Sequence, residues 1–472
     1  MKLRSELKKQ MIRRMDMLSS GRERWEKRNR YYYRDLIRFL RYSIPEGSRV
    51  LEIGCGTGQI LDAVKPSYGV GVDISPGMIR IAKKKYPHLR FMELDAEELS
   101  SRESFDYIII SDTIGYLEDV QKTMRALRSA CTDSTRIIIT YHNFIWQPVL
   151  QFAEFLHLKM SPPRLNWLNL EDIQNILYLE GYDVVKKGRR FLIPKFFPLV
   201  SWFANRFLAY LPGFNRLCIT GYLIARMTGA DRKKPSVSVI IPARNEKGNI
   251  ENAVIRTPDM GSRTEIIFIE GHSRDGTLAE IERVAKKHKR RNISFAVQDG
   301  KGKGDAVRKG FALAKGDILM ILDADLTVPP EDLPKFYEAI ANGRGEYING
   351  TRLVYPMEKE AMRFLNMLAN KFFSVMFTWL LGQRMKDTLC GTKVLSKKNW
   401  DALVANRSYF GDFDPFGDFD LIFGASKLNL KIVEVPIRYQ ARTYGSTNIS
   451  RFRHGLLLFR MVLFAMNKIK FV

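Results

Sequence analysis

Asp323 and Asp325 stand at i and i+2 directly behind the apolar run Ile318–Leu322. Two carboxylates at that spacing, delivered by a buried strand, are hard oxygen ligands suited to a divalent cation. Lys303, in Gly300-Lys-Gly-Lys-Gly-Asp-Ala-Val-Arg-Lys-Gly310, adds a cation with little side-chain bulk around it. A metal ion and a lysine together neutralise a diphosphate as it leaves, so group transfer from a diphosphate donor is the chemistry this set suits. A second set lies far upstream. Gly54, Gly56 and Gly58, in Leu51-Glu-Ile-Gly-Cys-Gly-Thr-Gly58, remove the Cβ atoms that would hold a ligand away from the backbone and the next helix. Asp73 ends the next apolar run, where a carboxylate can take a ribose diol. Leu94-Asp-Ala-Glu97 follows the third run and is placed for the edge of a base. A bare structural turn or a nicotinamide-binding loop would use the same glycines. His142, between Tyr141 and Asn143, sits just past the fifth run, positioned to act as a base or to serve structure alone.

These groups need elements to hold them. Val50–Ile53, Val70–Val72, Leu89–Met92, Tyr107–Ile110 and Arg136–Tyr141 are short apolar runs alternating with helical patterns, which read as buried parallel strands. Residues 162–190 add a helix and a strand. Beyond the apolar stretch 191–228 and the basic linker Thr228–Ser236, the alternation resumes with Val237–Ile241, Glu265–Glu270, Ile293–Gln298 and Ile318–Asp323. Two such series predict two doubly wound, Rossmann-like α/β domains, with ligands at the carboxyl ends of the strands. A length of 472 residues agrees with two or three domains. The expected division is a basic helical leader (1–44), a first α/β domain (45–190), an apolar amphipathic segment and linker (191–235), a second α/β domain (236–450) and a C-terminal amphipathic helix (451–472).

The E-I-G-C-G-T-G loop, the spacing to Asp73 and the Asp95-Ala96 pair together resemble class I S-adenosylmethionine-dependent methyltransferases over roughly residues 45–185. The resemblance implies that fold and that cofactor. Glu52 would support the methionine amine through the loop, Asp73 the ribose and Asp95 the adenine amine, with Ser111 and Asp112 along the cofactor edge.

The second half resembles family 2 inverting glycosyltransferases of the GT-A fold, and most of all the dolichol- and polyprenyl-phosphate mannose or glucose synthases. Pro-Ala-Arg-Asn-Glu246, Ser-Arg-Asp-Gly-Thr277, the lysine–glycine segment and Asp323-Ala-Asp-Leu-Thr-Val-Pro-Pro-Glu-Asp-Leu-Pro334 carry the likeness. It implies a nucleotide-sugar donor held by Pro242, Asn245, Glu246, Glu270, Lys303, Asp305, Asp323 and Ala324. Magnesium or manganese would sit at Asp323 and Asp325, and a lipid-linked acceptor phosphate at Arg352 and Arg363. Arg442 would reach donor diphosphate or acceptor phosphate. Asp418, with Asp420 as the alternative, would be the base for a hydroxyl acceptor; a phosphate acceptor needs none. Two positions depart from the pattern: Glu270-Gly-His272 where paired aspartates are common, and Thr327 where a glutamine is frequent.

A net charge of +25 calls for an anionic partner. Residues 1–41 concentrate that excess, with 14 Lys or Arg against 5 Asp or Glu. No recognition helix, stacking-aromatic sheet or zinc module accompanies it, so nucleic acid is not the expected partner. Four scattered cysteines exclude a disulfide scaffold. The apolar stretches 191–228 and 455–472 are broken by cations and too short to span a bilayer, as in segments that lie on its surface. The expected location is cytoplasmic, peripheral on the cytosolic face of an anionic membrane.

Overall fold

Seven strands form the first sheet: β1 (Arg49–Ile53), β2 (Tyr68–Asp73), β3 (Arg90–Glu93), β4 (Tyr107–Ser111), β5 (Arg136–His142), β6 (Tyr182–Arg190) and β7 (Thr220–Met227). Their spatial order is β3-β2-β1-β4-β5-β7-β6. β1 to β5 are parallel, and β7 runs antiparallel to both β5 and β6. This computed structural model describes residues 6–155, 166, 168–229, 234–352, 354, 364–409, 419–440, 442, 444 and 451–471, and the chain divides into two units after Thr228.

Every residue of β4 is buried, as a strand covered on both faces requires. Its Ile108 and Ile110 join Leu51, Ile53, Val70 and Val72 in one core, and Ile109 joins Val50 and Ile138 in the other. The helices of this unit are α1 (Glu6–Ser19), α2 (Arg22–Arg28), α3 (Arg30–Ser43), α4 (Gln59–Ala63), α5 (Pro76–Lys85), α6 (Val120–Leu127), α7 (Gln147–Phe155), α8 (Leu170–Leu179) and α9 (Val200–Arg206).

Two expected boundaries change. The leader is part of the domain: Leu36, Phe39 and Leu40 on α3 cover one face of the sheet. Asp35 on α3 also grips Arg190 of β6 through two bonds of 2.8 and 3.0 Å, both side chains buried. The stretch 191–227 is likewise not a separate amphipathic segment. It contributes one seven-residue helix, α9, and then β7, which inserts between β5 and β6 and buries Leu223, Ile224 and Ala225.

The second sheet holds β8 (Val237–Ala243), β9 (Thr264–Glu270), β10 (Asn292–Val297), β11 (Ile318–Ile321), β12 (Tyr347–Thr351), β13 (Lys393–Ser396) and β14 (Ile432–Pro436), in the order β10-β9-β8-β11-β13-β12-β14. It is mixed, because β13 runs antiparallel to β11 and β12. Around it lie α10 (Ile250–Arg256), α11 (Thr277–Lys287), α12 (Lys303–Leu313), α13 (Leu333–Ala341), α14 (Phe364–Leu381), α15 (Lys397–Ala405), α16 (Phe419–Lys427) and α17 (Arg451–Ala465). Both units are thus α/β layers, Rossmann-like in the first and GT-A-like with a mixed sheet in the second. Among the described residues no helix is long and apolar enough to cross a membrane.

Candidate functional sites

In the first unit a cavity of about 410 Å³ opens at the carboxyl ends of β1, β2 and β4. The strand order reverses between β1 and β4, which leaves a crevice there. The three glycines differ in what they do. A Cβ on Gly54 would overlap Thr113 and one on Gly58 would overlap Phe91, so internal packing fixes both. Gly56, at φ +51°, has open space where its Cβ would stand, and it lines the cavity.

The carboxylates expected along this edge are brought together. Asp73 accepts from the backbone N–H of Gly56 and of Ser75, each at 2.9 Å, which folds the loop; burial raises its pKa. Glu52 is buried beneath, with one carboxylate oxygen lacking a hydrogen-bond partner among the described residues, and burial pushes its pKa well up. Asp95 caps the turn at Ala96–Glu98 through the Glu97 N–H at 3.0 Å. Ala96 is buried and lines the cavity, and Ser111 Oγ lies 3.1 Å from Thr140 Oγ1. His142 also lines the cavity, its ring 5.7 Å from that of Tyr32.

The leader's share of this wall is what sequence reasoning missed. Lys8 of α1 is buried with Nζ 2.7 Å from Asp95, 3.0 Å from Glu97 and 3.4 Å from Glu118. Burial would lower its pKa, but the Asp95 and Glu97 carboxylates carry it above the usual lysine value. Asp16, further along α1, accepts from the Gly77 N–H at 2.6 Å and from Ser75 Oγ at 3.0 Å. The signal was the amphipathic spacing of Met11 and Met15, which both face the cavity.

In the second unit the loops after β8, β9 and β11 converge. Lys303 Nζ lies 2.6 Å from Asp323 Oδ1, and Arg442 Nη2 lies 2.7 Å from Asp325 Oδ2. Arg442 also reaches Glu246 at 3.3 Å, so one guanidinium ties the first loop to the third. Thr327 Oγ1 donates to Asp325 at 2.9 Å, which positions that carboxylate. Burial would raise the Asp323 pKa, yet Lys303, Lys393 and Arg352 hold it below the ordinary aspartate value. A Cβ on Gly391 would overlap the Asp323 carboxylate, so a glycine is required where that backbone passes. Ala324, buried between the two aspartates, sets their spacing.

Other expected residues serve the loops themselves. Glu270 accepts from the N–H groups of His272 and Ser273 at 3.1 and 2.6 Å. Asn245 accepts from the Arg274 N–H at 2.9 Å, and Asp305 from the Gly300 N–H at 2.8 Å. Pro242 lies on β8 opposite Ile269 of β9. Arg352 is held by a buried partner not singled out beforehand: Asp387 accepts from its Nε at 2.7 Å and its Nη2 at 2.8 Å. The Asp420 carboxylate accepts from Arg407 at 3.1 Å, and the residue lines a small cavity with Trp400, Leu403 and Gly424. Arg363 and Asp418 lie outside the described residues. Among the described residues no group of three or more His, Cys, Asp or Glu gathers to hold a metal.

Two α/β units, each with polar loops at the carboxyl edge of its parallel strands, place the chain in the nucleotide-binding α/β class of folds, with one candidate site per unit. Comparison with known proteins narrows this. Residues 24–187 match the methyltransferase domain family and residues 238–396 match glycosyl transferase family 2. Residues 238–396 thus form a glycosyl transferase family 2 domain and residues 24–187 a methyltransferase domain. The dolichol-phosphate mannosyltransferase of Saccharomyces cerevisiae is 40% identical over 109 residues, which are 22% of this chain and 40% of that protein. The dolichol-phosphate mannosyltransferase of Pyrococcus furiosus is 31% identical over 217 residues, covering 45% of this chain and 59% of that one. The chain therefore spans about half the length of these two relatives. A SAM-dependent methyltransferase from Thermotoga maritima superimposes on 46% of this chain and 100% of its own, with 18% identity and a TM-score of 0.36.

Proposed function

We propose that the second unit transfers a sugar, with inversion, from a nucleoside-diphosphate sugar to a polyprenyl-phosphate acceptor, and that the first unit binds S-adenosylmethionine and donates its methyl group. The observation that carries the sugar-transfer reading is the Lys303–Asp323 and Asp325–Arg442 pair of contacts at 2.6 and 2.7 Å. Both aspartates face cations that a diphosphate would attract. A donor diphosphate drawing off Lys303 and Arg442 leaves two hard oxygens, and magnesium commonly binds through one or two carboxylates plus substrate phosphates. Asp323 and Asp325 would hold that ion, which would offset the charge of the departing diphosphate. Two similar proteins named as dolichol-phosphate mannosyltransferases support a lipid phosphate as acceptor. With an ionised phosphate as nucleophile, no base is needed, in keeping with the position of Asp420 beside Arg407.

The first unit's donor set fits S-adenosylmethionine better than a dinucleotide. Asp73 and Asp95 present hydrogen-bond acceptors to the crevice beside the open face of Gly56, with Glu52 buried behind the loop. A cationic ligand rich in donors suits them, and a pyrophosphate does not. A thermal-shift series with nucleotide sugars and S-adenosylhomocysteine, each with and without manganese, tests both readings. We expect manganese to enlarge the nucleotide-sugar shift and leave the S-adenosylhomocysteine shift unchanged. No shift with any nucleotide sugar would remove the glycosyltransferase reading.

The location proposed is peripheral, on the cytosolic face of an anionic membrane. Phe196, Leu199 and Trp202 are 63%, 80% and 53% exposed in the first unit, and α17 of the second exposes Leu456 and Phe459. Burying such surface yields roughly 25 cal/mol per Å². Each basic residue near anionic lipid adds about 1 kcal/mol, screened by salt. The protein should sediment with anionic vesicles at low salt, come off partly at high salt and sediment less with neutral ones. If it stays in the supernatant with both, a soluble hydroxyl acceptor becomes the better reading.

A further inference from the structure

Asp112 is not needed to shape the glycine loop, and its geometry is unusual. It follows β4 directly and sits at φ +51°, a conformation that costs a non-glycine residue on the order of 1 kcal/mol and recurs at functional sites. Its Oδ2 accepts from the Tyr32 hydroxyl at 2.7 Å. Its Oδ1 is buried at the cavity wall with no hydrogen-bond partner among the described residues. The Tyr32 ring is fixed in turn, edge-on to His142 at 5.7 Å and to Phe191 at 5.6 Å. The result is a held carboxylate with one buried oxygen left unpartnered among the described residues, on a residue that lines the cavity.

Much of the wall of this cavity is apolar, although Arg22 and Asn29 line it too. Met11 and Met15 of α1, Trp25 of α2, Tyr116, and Trp146 with Leu150 beside α7 line it. The rim is apolar and solvent-facing: Val149, which lines the cavity, is 54% exposed, and Phe152, one turn on along α7, is 61% exposed. Pro194 and Lys195 line the opposite side and lead straight into the exposed Phe196 and Phe197.

We propose that this part of the cavity is the methyl-acceptor site, that it takes an apolar alcohol or phenol, and that Asp112 receives the hydroxyl proton while Tyr32 positions it. The inference rests on the reading that the first unit uses S-adenosylmethionine. As the acceptor oxygen forms its bond to the methyl carbon, the carbon–sulfur bond breaks with its electron pair going to sulfur. The hydroxyl proton passes to Asp112 Oδ1, and the products are a methyl ether and S-adenosylhomocysteine. A hydroxyl is the nucleophile that needs such a group, since it is weak until its proton is accepted. An apolar body satisfies the methionine and aromatic wall, and an exposed apolar rim admits a molecule from solution or from a bilayer.

The test uses the full chain with two probes, 4-hexylphenol in solution and farnesol in phosphatidylcholine vesicles. S-adenosylhomocysteine affinity is measured first by calorimetry for the wild type, Asp112→Asn, Tyr32→Phe and Leu150→Trp. Equal affinity in all four is expected, which would move Asp112 from the cofactor edge, where the resemblance puts it, to the acceptor side and would also show that the variants fold. With S-adenosylhomocysteine bound, at least one probe should raise the wild-type melting temperature, and Leu150→Trp should abolish that rise by filling the site. Which probe acts tells whether the acceptor arrives free or membrane-borne. Asp112→Asn keeps an acceptor for Tyr32 but takes no proton, so methyl transfer to that probe should fall about 10²–10⁴-fold at unchanged probe affinity. Tyr32→Phe should fall less and shift the pH profile of transfer. Weaker S-adenosylhomocysteine binding by Asp112→Asn would assign the carboxylate to the cofactor and overturn the proposal. So would probe binding that survives Leu150→Trp, binding of neither probe, transfer by Asp112→Asn at the wild-type rate, or methylation of amines alone. If the wild type binds no S-adenosylhomocysteine, the cofactor reading itself fails and this proposal goes with it.

Discussion

Replacing Asp325 with alanine is expected to lower sugar transfer about 10²–10³-fold, the scale on which loss of one preorganised electrostatic contact acts. The change removes a hard oxygen from the pair and one of the carboxylates on Arg442, whose contact with Glu246 at 3.3 Å stays. Thr327 loses the acceptor for its hydroxyl at 2.9 Å. The fold should survive, because Asp325 stands in the loop after β11 and contributes no strand pairing. Initial rates in buffer with manganese, beside an unchanged far-ultraviolet spectrum and melting temperature, check this. Undiminished transfer would mean that the two aspartates do not act as a metal-holding pair.

The second large effect is on stability. Asp387→Ala removes both carboxylate oxygens from Arg352 and leaves a mostly buried guanidinium, 13% exposed, without that partner. Breaking a buried pair from one side typically costs about 3–5 kcal/mol. For a unit of this size that lowers the melting temperature by roughly 6–20 °C. The same contact sets an acid dependence. Burial alone would raise the Asp387 pKa, but Arg352 holds it below the ordinary aspartate value. A depressed carboxylate contributes its full stability above the unfolded value of about 3.9, and that contribution is lost as the pH falls through the lower folded value. Urea melts at pH 7, 5 and 3 should show the gap between wild type and Asp387→Ala narrowing only at the acid end. A gap that stays constant would mean that the ion pair is not its source.

What the sequence made legible follows from how local each signal is. β1 to β5 and β8 to β11 lie in short apolar runs between helical patterns, and the glycine loop and the aspartate pair announce themselves within a few residues. β7 did not, because Thr-Gly-Tyr-Leu-Ile-Ala-Arg-Met sits inside a longer apolar stretch and its partners lie far back in the chain. The leader's charge hid its structural part: Lys8 meets Asp95 across 87 residues, and no spacing rule reaches that far. Arg442 and Asp325 are 117 residues apart, so only the family resemblance placed that arginine near a phosphate. Arg352 was likewise placed by the resemblance, and the Asp387 that holds it stands 35 residues on, beyond the reach of any spacing rule.

The place of β7 between β5 and β6 has a consequence for synthesis on the ribosome. β6 is made first, yet its place in the sheet depends on a strand that ends 37 residues later. At about 5–20 residues per second, that interval lasts roughly 2–7 s. Until β7 arrives the edge of β5 is open and β6 has no ladder to join, and an open edge is a template for strand exchange with a neighbour.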